Sequence, residues 1–111
     1  MNLKQETLDA MAENGMGIED IAYISNRDFD QSVPVDEFFR SADREYNNSA
    51  SGNEVNTELL IVFTNGDRLV RGNCDNNEWW EFIQAVPTMP PPIATPLYIW
   101  AEKSTYGLKD D

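Results

Sequence analysis

The chain has 111 residues, enough for one hydrophobic core, with 20 acids against 8 bases and no histidine, a net charge of −12. That balance repels nucleic-acid phosphates and anionic lipid and steers the chain towards basic surfaces. Without histidine there is no His-based catalytic triad and no His-containing metal site, and a lone Cys74 excludes an internal disulfide.

Residues 3–14 predict a helix. Leu3, Thr7, Leu8, Met11 and Ala12 share one face, Glu6, Asp9 and Glu13 lie towards another, and Asn14-Gly15 supplies a stop. The N-terminal stretch is acidic and lacks the apolar core of a secretory signal. No apolar run approaches the ~18 residues that span a bilayer. A soluble, cytoplasmic protein is expected.

Ile21 to Ile24 reads as a short strand, followed by a polar loop to Gln31. Ser32-Val33-Pro34 predicts the opening of a second helix, with Pro34 at its first position and Asp36 and Glu37 at the positive end of its dipole. Val35, Phe38, Phe39 and Ala42 form its apolar stripe. Its end is expected near Tyr46, before the small polar residues NNSASGN.

Residues 58–64 (ELLIVFT) predict a strand buried on both faces, and Asn65-Gly66 is a strong hairpin turn because both residues accept positive φ. Residues 67–72 return as strand, with Leu69 and Val70 on opposite faces. After the turn at Asp75, residues 78–84 (EWWEFIQ) predict a third strand, with a helix as the alternative. The segment TMPPPIATP is expected to be extended, 97–101 (LYIWA) a final strand, and 102–111 a polar tail. The whole is expected to be a single α+β domain over 1–111. It comprises an acidic helical half (1–50) and an antiparallel β-meander of about four strands (57–101), packed with two helices.

Catalytic chemistry has little support. Cys74 follows a strand near Arg68 and Arg71 but has no histidine partner, and paired carboxylates are expected by chance among so many acids. Neither Asp28-Phe29-Asp30 nor Asp75-Asn76-Asn77-Glu78 has EF-hand spacing, and turn formation explains both. No catalytic residue, metal or cofactor is expected.

Acidity is concentrated in residues 1–58, which hold 13 acids against 4 bases. Glu6, Asp9 and Glu13 follow one helix face, and Asp36, Glu37, Asp43 and Glu45 follow on the second helix. Phosphates recur about every 3.4 Å along a DNA strand, so carboxylates on two helices can imitate a phosphate track. The plainer reading is a solvated helix face, with Arg40 and Arg44 forming internal pairs. Trp79 and Trp80 are adjacent, point to opposite faces of a strand, and are candidates for either core packing or an interface anchor.

Residues 59–87 (LLIVFTNGDRLVRGNCDNNEWWEFIQAVP) resemble a pattern in short phage- and prophage-encoded proteins of unassigned function. It is carried here by Gly66, Leu69, Arg71, Asp75, Trp79, Trp80, Glu81 and Phe82. Such an origin implies an inhibitor of host machinery, since small acidic phage proteins include anti-restriction and anti-CRISPR proteins, several of them DNA mimics. The expectation is therefore a binding protein acting in the host cytoplasm, without enzymatic activity. Its acids would engage the basic surface of a host nucleic-acid-processing complex, plausibly a CRISPR effector, and Trp79 or Trp80 would add an apolar anchor. Neither nucleic acid nor membrane is expected to bind directly. The rivals are a phage assembly protein or homodimer using its aromatic sheet face, and a carboxylate-pair hydrolase.

Overall fold

The computed structural model describes residues 1–47, 54–74, 77–84 and 97–101. Two helices, α1 (Leu3–Glu13) and α2 (Val35–Ala42), accompany five strands: β1 (Ile21–Asn26), β2 (Ser32–Val33), β3 (Leu59–Phe63), β4 (Arg68–Cys74) and β5 (Asn77–Ile83). The strands form one antiparallel sheet in the order β2-β1-β3-β4-β5. The expected α+β class holds, with five strands in the sheet.

Helix α1 begins where Asn2 Oδ1 accepts the Gln5 amide at 3.0 Å, a side-chain N-cap, and it stops at Asn14 before Gly15 with φ of 74°. Leu3, Thr7 and Met11, each four residues apart, are its buried stripe. Helix α2 buries Phe38, Phe39 and Ala42, and its two phenyl rings meet edge to face at 5.0 Å. Burying a side chain such as Phe38 contributes roughly 1.5–3 kcal/mol. Helix α2 lies over β1 and α1 over β5, and the two helices touch.

Two expectations for the second helix are corrected. Ser32 and Val33 precede it as strand β2, paired with Ser25 and Ile24, and Pro34 stands just outside the helix as its N-cap, not at its first position. The helix also ends at Ala42, four residues before Tyr46. There the chain turns back to pair with the N-terminus: Leu3 N–H donates to Arg44 O at 3.3 Å and Tyr46 N–H to Met1 O at 2.7 Å. Backbone bonds to the segment before α1 replace those that further helix would have supplied.

Strand β3 is buried along its whole length, as its unbroken apolar run predicts. Gly66, with φ of 94°, turns the chain from β3 into β4. Residues 77–83 are strand, as favoured, with Trp80 and Trp79 opposite Arg71 and Gly72 of β4. The expected final strand is a correction: 97–101 joins the sheet nowhere in the described chain and instead runs beside 54–56. Asn56 N–H donates to Ile99 O at 2.8 Å and Ala101 N–H to Glu54 O at 2.9 Å. Leu97, Ile99 and Trp100 are nonetheless wholly buried, and Trp100 Nε1 donates to Ser41 O at 3.2 Å, tying this segment to the end of α2. The expected extended proline-rich segment, the polar tail, and most of the loop after Tyr46 lie outside the described residues.

Candidate partner-binding groove

Helix α1 and edge strand β5 meet with a shallow groove between them, about 240 Å³, lined by Met1, Glu6, Asp9, Ala10, Glu13, Trp79 and Trp80. Five of the residues singled out from sequence are thus brought together. The spacing of Glu6, Asp9 and Glu13 places them on one stripe of α1, and Asp9 and Glu13 are exposed on it. Asp9 accepts the Gln5 side-chain amide at 2.9 Å, an i,i+4 bond along the helix surface.

Glu6 has a different setting. Its side chain is 13 % exposed and faces Arg71 of β4, which is buried, with Arg71 Nη1 donating to Glu6 Oε2 at 3.3 Å. Arg71 Nη2 donates to Tyr46 Oη at 3.1 Å and to Glu78 Oε1 at 3.4 Å, and its guanidinium lies 4.8 Å from the centre of the Trp80 ring. Tyr46 in turn donates its hydroxyl proton to Glu6 Oε1. Glu78 accepts the Glu54 and Val55 amides at 2.9 and 3.2 Å. One cation therefore joins α1, β4, β5 and the turn after α2, with carboxylates compensating its burial on two sides. Burial, and secondarily the bond to Glu6, raise the Tyr46 hydroxyl well above the ordinary tyrosine range, so it remains a donor.

Trp80 forms the floor of the groove. It is 9 % exposed, and its Nε1 donates to Thr7 Oγ1 at 2.9 Å, while Thr7 donates to Leu3 O at 2.7 Å. Trp79 points to the other face of β5, is half-buried, and lies across Gly72, where an added Cβ would come within 2.8 Å of the indole nitrogen.

The remaining predicted acids do not line this groove. Glu37 pairs with Arg40 along α2. Asp43 accepts the Asn2 side-chain amide at 3.1 Å, and Glu45 accepts from the Met1 amine at 3.2 Å. Asp36 and Asp43 rim a second, wider depression of about 740 Å³ with Ile18, Val35 and Phe39 on its floor. Of the seven acids, Glu6, Asp9 and Glu13 line the first groove and Asp36 and Asp43 the second depression.

Sequence reasoning missed Arg71 and Glu78 as interior residues. The signal was period-two alternation: Arg71 shares the face of Leu69, and Glu78 shares that of Trp80. An arginine and a glutamate on the core-facing side of paired strands imply a buried partnership.

Chemically, exposed carboxylates beside indole rings attract guanidinium and ammonium groups, as Arg71 already illustrates from inside the fold. Among the described residues, no group of three or more acids and cysteines is placed to hold a metal ion. No helix among them is long and apolar enough to cross a membrane. Comparison with protein-family models, curated proteins and solved structures found no match to this chain.

Proposed function

We propose that the protein acts by binding, docking its α1–β5 groove onto a basic segment of a partner protein. The observation that carries this reading is how opposite charges are distributed. Each of the five arginines makes at least one contact within the protein, although Arg27 and Arg40 are also exposed. Arg27 donates to two carbonyls, Arg40 pairs with Glu37, Arg44 and Arg68 lie over the Trp100 and Phe29 rings, and Arg71 is buried. Asp9 and Glu13, by contrast, stand exposed beside two indoles. Carboxylates left facing solvent in a chain of net charge −12 attract a cationic surface at long range and give an arginine or lysine a place to settle.

The resemblance to phage-encoded proteins gives this proposal its specific form, in which the partner is the nucleic-acid cleft of a host complex and its occupation inhibits that complex. Asp9 and Glu13, one helical turn apart at roughly 6 Å, would then stand where phosphates bind. Glu6 would contribute through Arg71 and Tyr46, holding α1 in place. Affinity capture from host lysate tests this with the wild-type protein and an Asp9→Lys/Glu13→Lys variant. A basic protein retained by the wild type, released by salt and lost with the variant is the expected result. Equal retention by both, or binding indifferent to salt, would sink it.

A further inference from the structure

The face of the sheet turned away from the helices carries a second groove, of about 240 Å³, and no acid lines it. Its floor is Leu60 and Val70, its walls are Phe29 and Ile83, and Arg27 and Arg68 stand at its rim. In a chain with 20 acids and 8 bases, an apolar groove whose lining holds two arginines and no acid runs against the overall charge; exposed Glu81, the cross-strand partner of Val70, is the acid on β5 nearest its floor.

This rim is rigidly built. Phe29 adopts φ of 60°, a backbone conformation that side chains other than glycine seldom take, and such positions persist only where the surroundings impose them. Here Asn26 imposes it: its side-chain oxygen accepts the Asp30 and Gln31 amides at 3.1 and 3.2 Å, and its amide donates to Asp30 at 2.6 Å. The loop so folded sets the Phe29 ring edge-on to Tyr23 and beneath Arg68. Arg27 is braced through Nε on Thr57 O at 3.1 Å and through Nη2 on Arg71 O at 2.7 Å, which leaves Nη1 as its remaining donor nitrogen. Arg68 Nε is buried and has no hydrogen-bond partner among the described residues.

We propose that this groove binds a small carboxylate with a compact apolar body, such as an aryl-alkanoate or short acyl acid. The Arg68 guanidinium, with Arg27 Nη1 as a further donor, offers a carboxylate both positive charge and hydrogen bonds. A monoanion is favoured over a phosphate because the field of the whole acidic chain opposes each negative charge brought to it. The volume is below the roughly 300 Å³ at which drug-sized pockets begin, so the apolar body is about one phenyl ring in size.

The test is a titration of isotope-labelled protein with 3-phenylpropionate, followed by NMR. Saturable shifts are expected at the amides of Phe29, Leu60, Val70 and Ile83, with the uncharged 3-phenylpropionamide at least about tenfold weaker. Arg68→Gln should weaken the acid by a similar factor. Ile83→Glu should abolish binding while leaving the fold intact, because that side chain is 40 % exposed. Asp9→Lys/Glu13→Lys should bind the acid unchanged, which separates this site from the α1–β5 groove. Absence of saturation, equal binding of acid and amide, or shifts at α1 would overturn the assignment. So would tighter binding of a peptide presenting the same phenyl and carboxylate groups, which would make the groove a protein-docking site.

Discussion

On the side of the sheet beneath the helices, Leu59, Ile61 and Phe63 join Leu3, Met11 and Phe38 in one large core, and at its edge the buried cation Arg71 is paired with Glu6 and with buried Glu78. On the opposite side, Leu60, Val62 and Val70 form a smaller cluster against which Tyr23 and Phe29 pack, with Arg27 and Arg68 at the rim of an open groove. Both sides bury strand residues from the same β3. They differ in where charge is placed: the first encloses a cation within the fold, and the second holds its cations at the surface. An enclosed cation fixes the relative placement of elements, whereas a surface cation beside apolar walls is available to an incoming group.

The sharpest test of that difference is Arg71→Ala. Removing one partner from a buried ion pair leaves Glu6 and Glu78 uncompensated, and a loss of about 3–5 kcal/mol in denaturant unfolding is expected. Arg68→Ala, at the rim, should lose much less. Equal losses would erase the distinction between the two arginines. The apolar residues make the next comparison. Ile61, wholly buried under the helices, should cost about 2–5 kcal/mol when changed to alanine, and Val62, on the opposite face, about 1–2 kcal/mol. A Val62→Ala loss as large as that of Ile61→Ala would show that the second face is packed as tightly as the first.

The hydroxyl of Tyr46 gives a smaller, pH-dependent effect. Its folded-state value is raised above the ordinary 10.0, so its contribution is complete below about pH 10. Above that, the unfolded chain releases the proton while the fold retains it, and stability declines with rising pH. Unfolding curves of the wild type should therefore steepen their decline above pH 10 relative to Tyr46→Phe. Parallel curves would remove Tyr46 from the buried network.

The sequence made some of this arrangement legible and hid the rest for physical reasons. Strand β3 and the Asn65-Gly66 turn were readable because an unbroken apolar run and a positive-φ residue are local signals. Strand β2 was not, because two residues carry no period and Pro34 after them also suits a helix start. The helix end expected near Tyr46 was not where it fell, because backbone pairing of Arg44 with Leu3 and of Tyr46 with Met1, more than 40 positions away in sequence, draws these residues off the helix. The acids of α1 were correctly placed on one stripe of the helix. Glu6 still differs from its neighbours, because which end of a stripe meets a buried arginine is decided by tertiary packing alone.

That split within α1 yields the smallest expected effect on stability. Asp9 and Glu13 are exposed, so Asp9→Asn and Glu13→Gln should each change unfolding free energy by no more than the about 0.5 kcal/mol typical of surface sites. The direction is also defined: each change removes one negative charge from a chain of net −12, easing self-repulsion, so thermal stability should hold or rise slightly. Glu6→Gln, on the same stripe, should instead destabilise, because it removes the charge that Arg71 faces. Thermal melts of the three variants at low ionic strength distinguish the settings. If Asp9→Asn or Glu13→Gln destabilised the fold as much as Glu6→Gln, all three acids would be structural, and no carboxylate on α1 would remain to meet a partner.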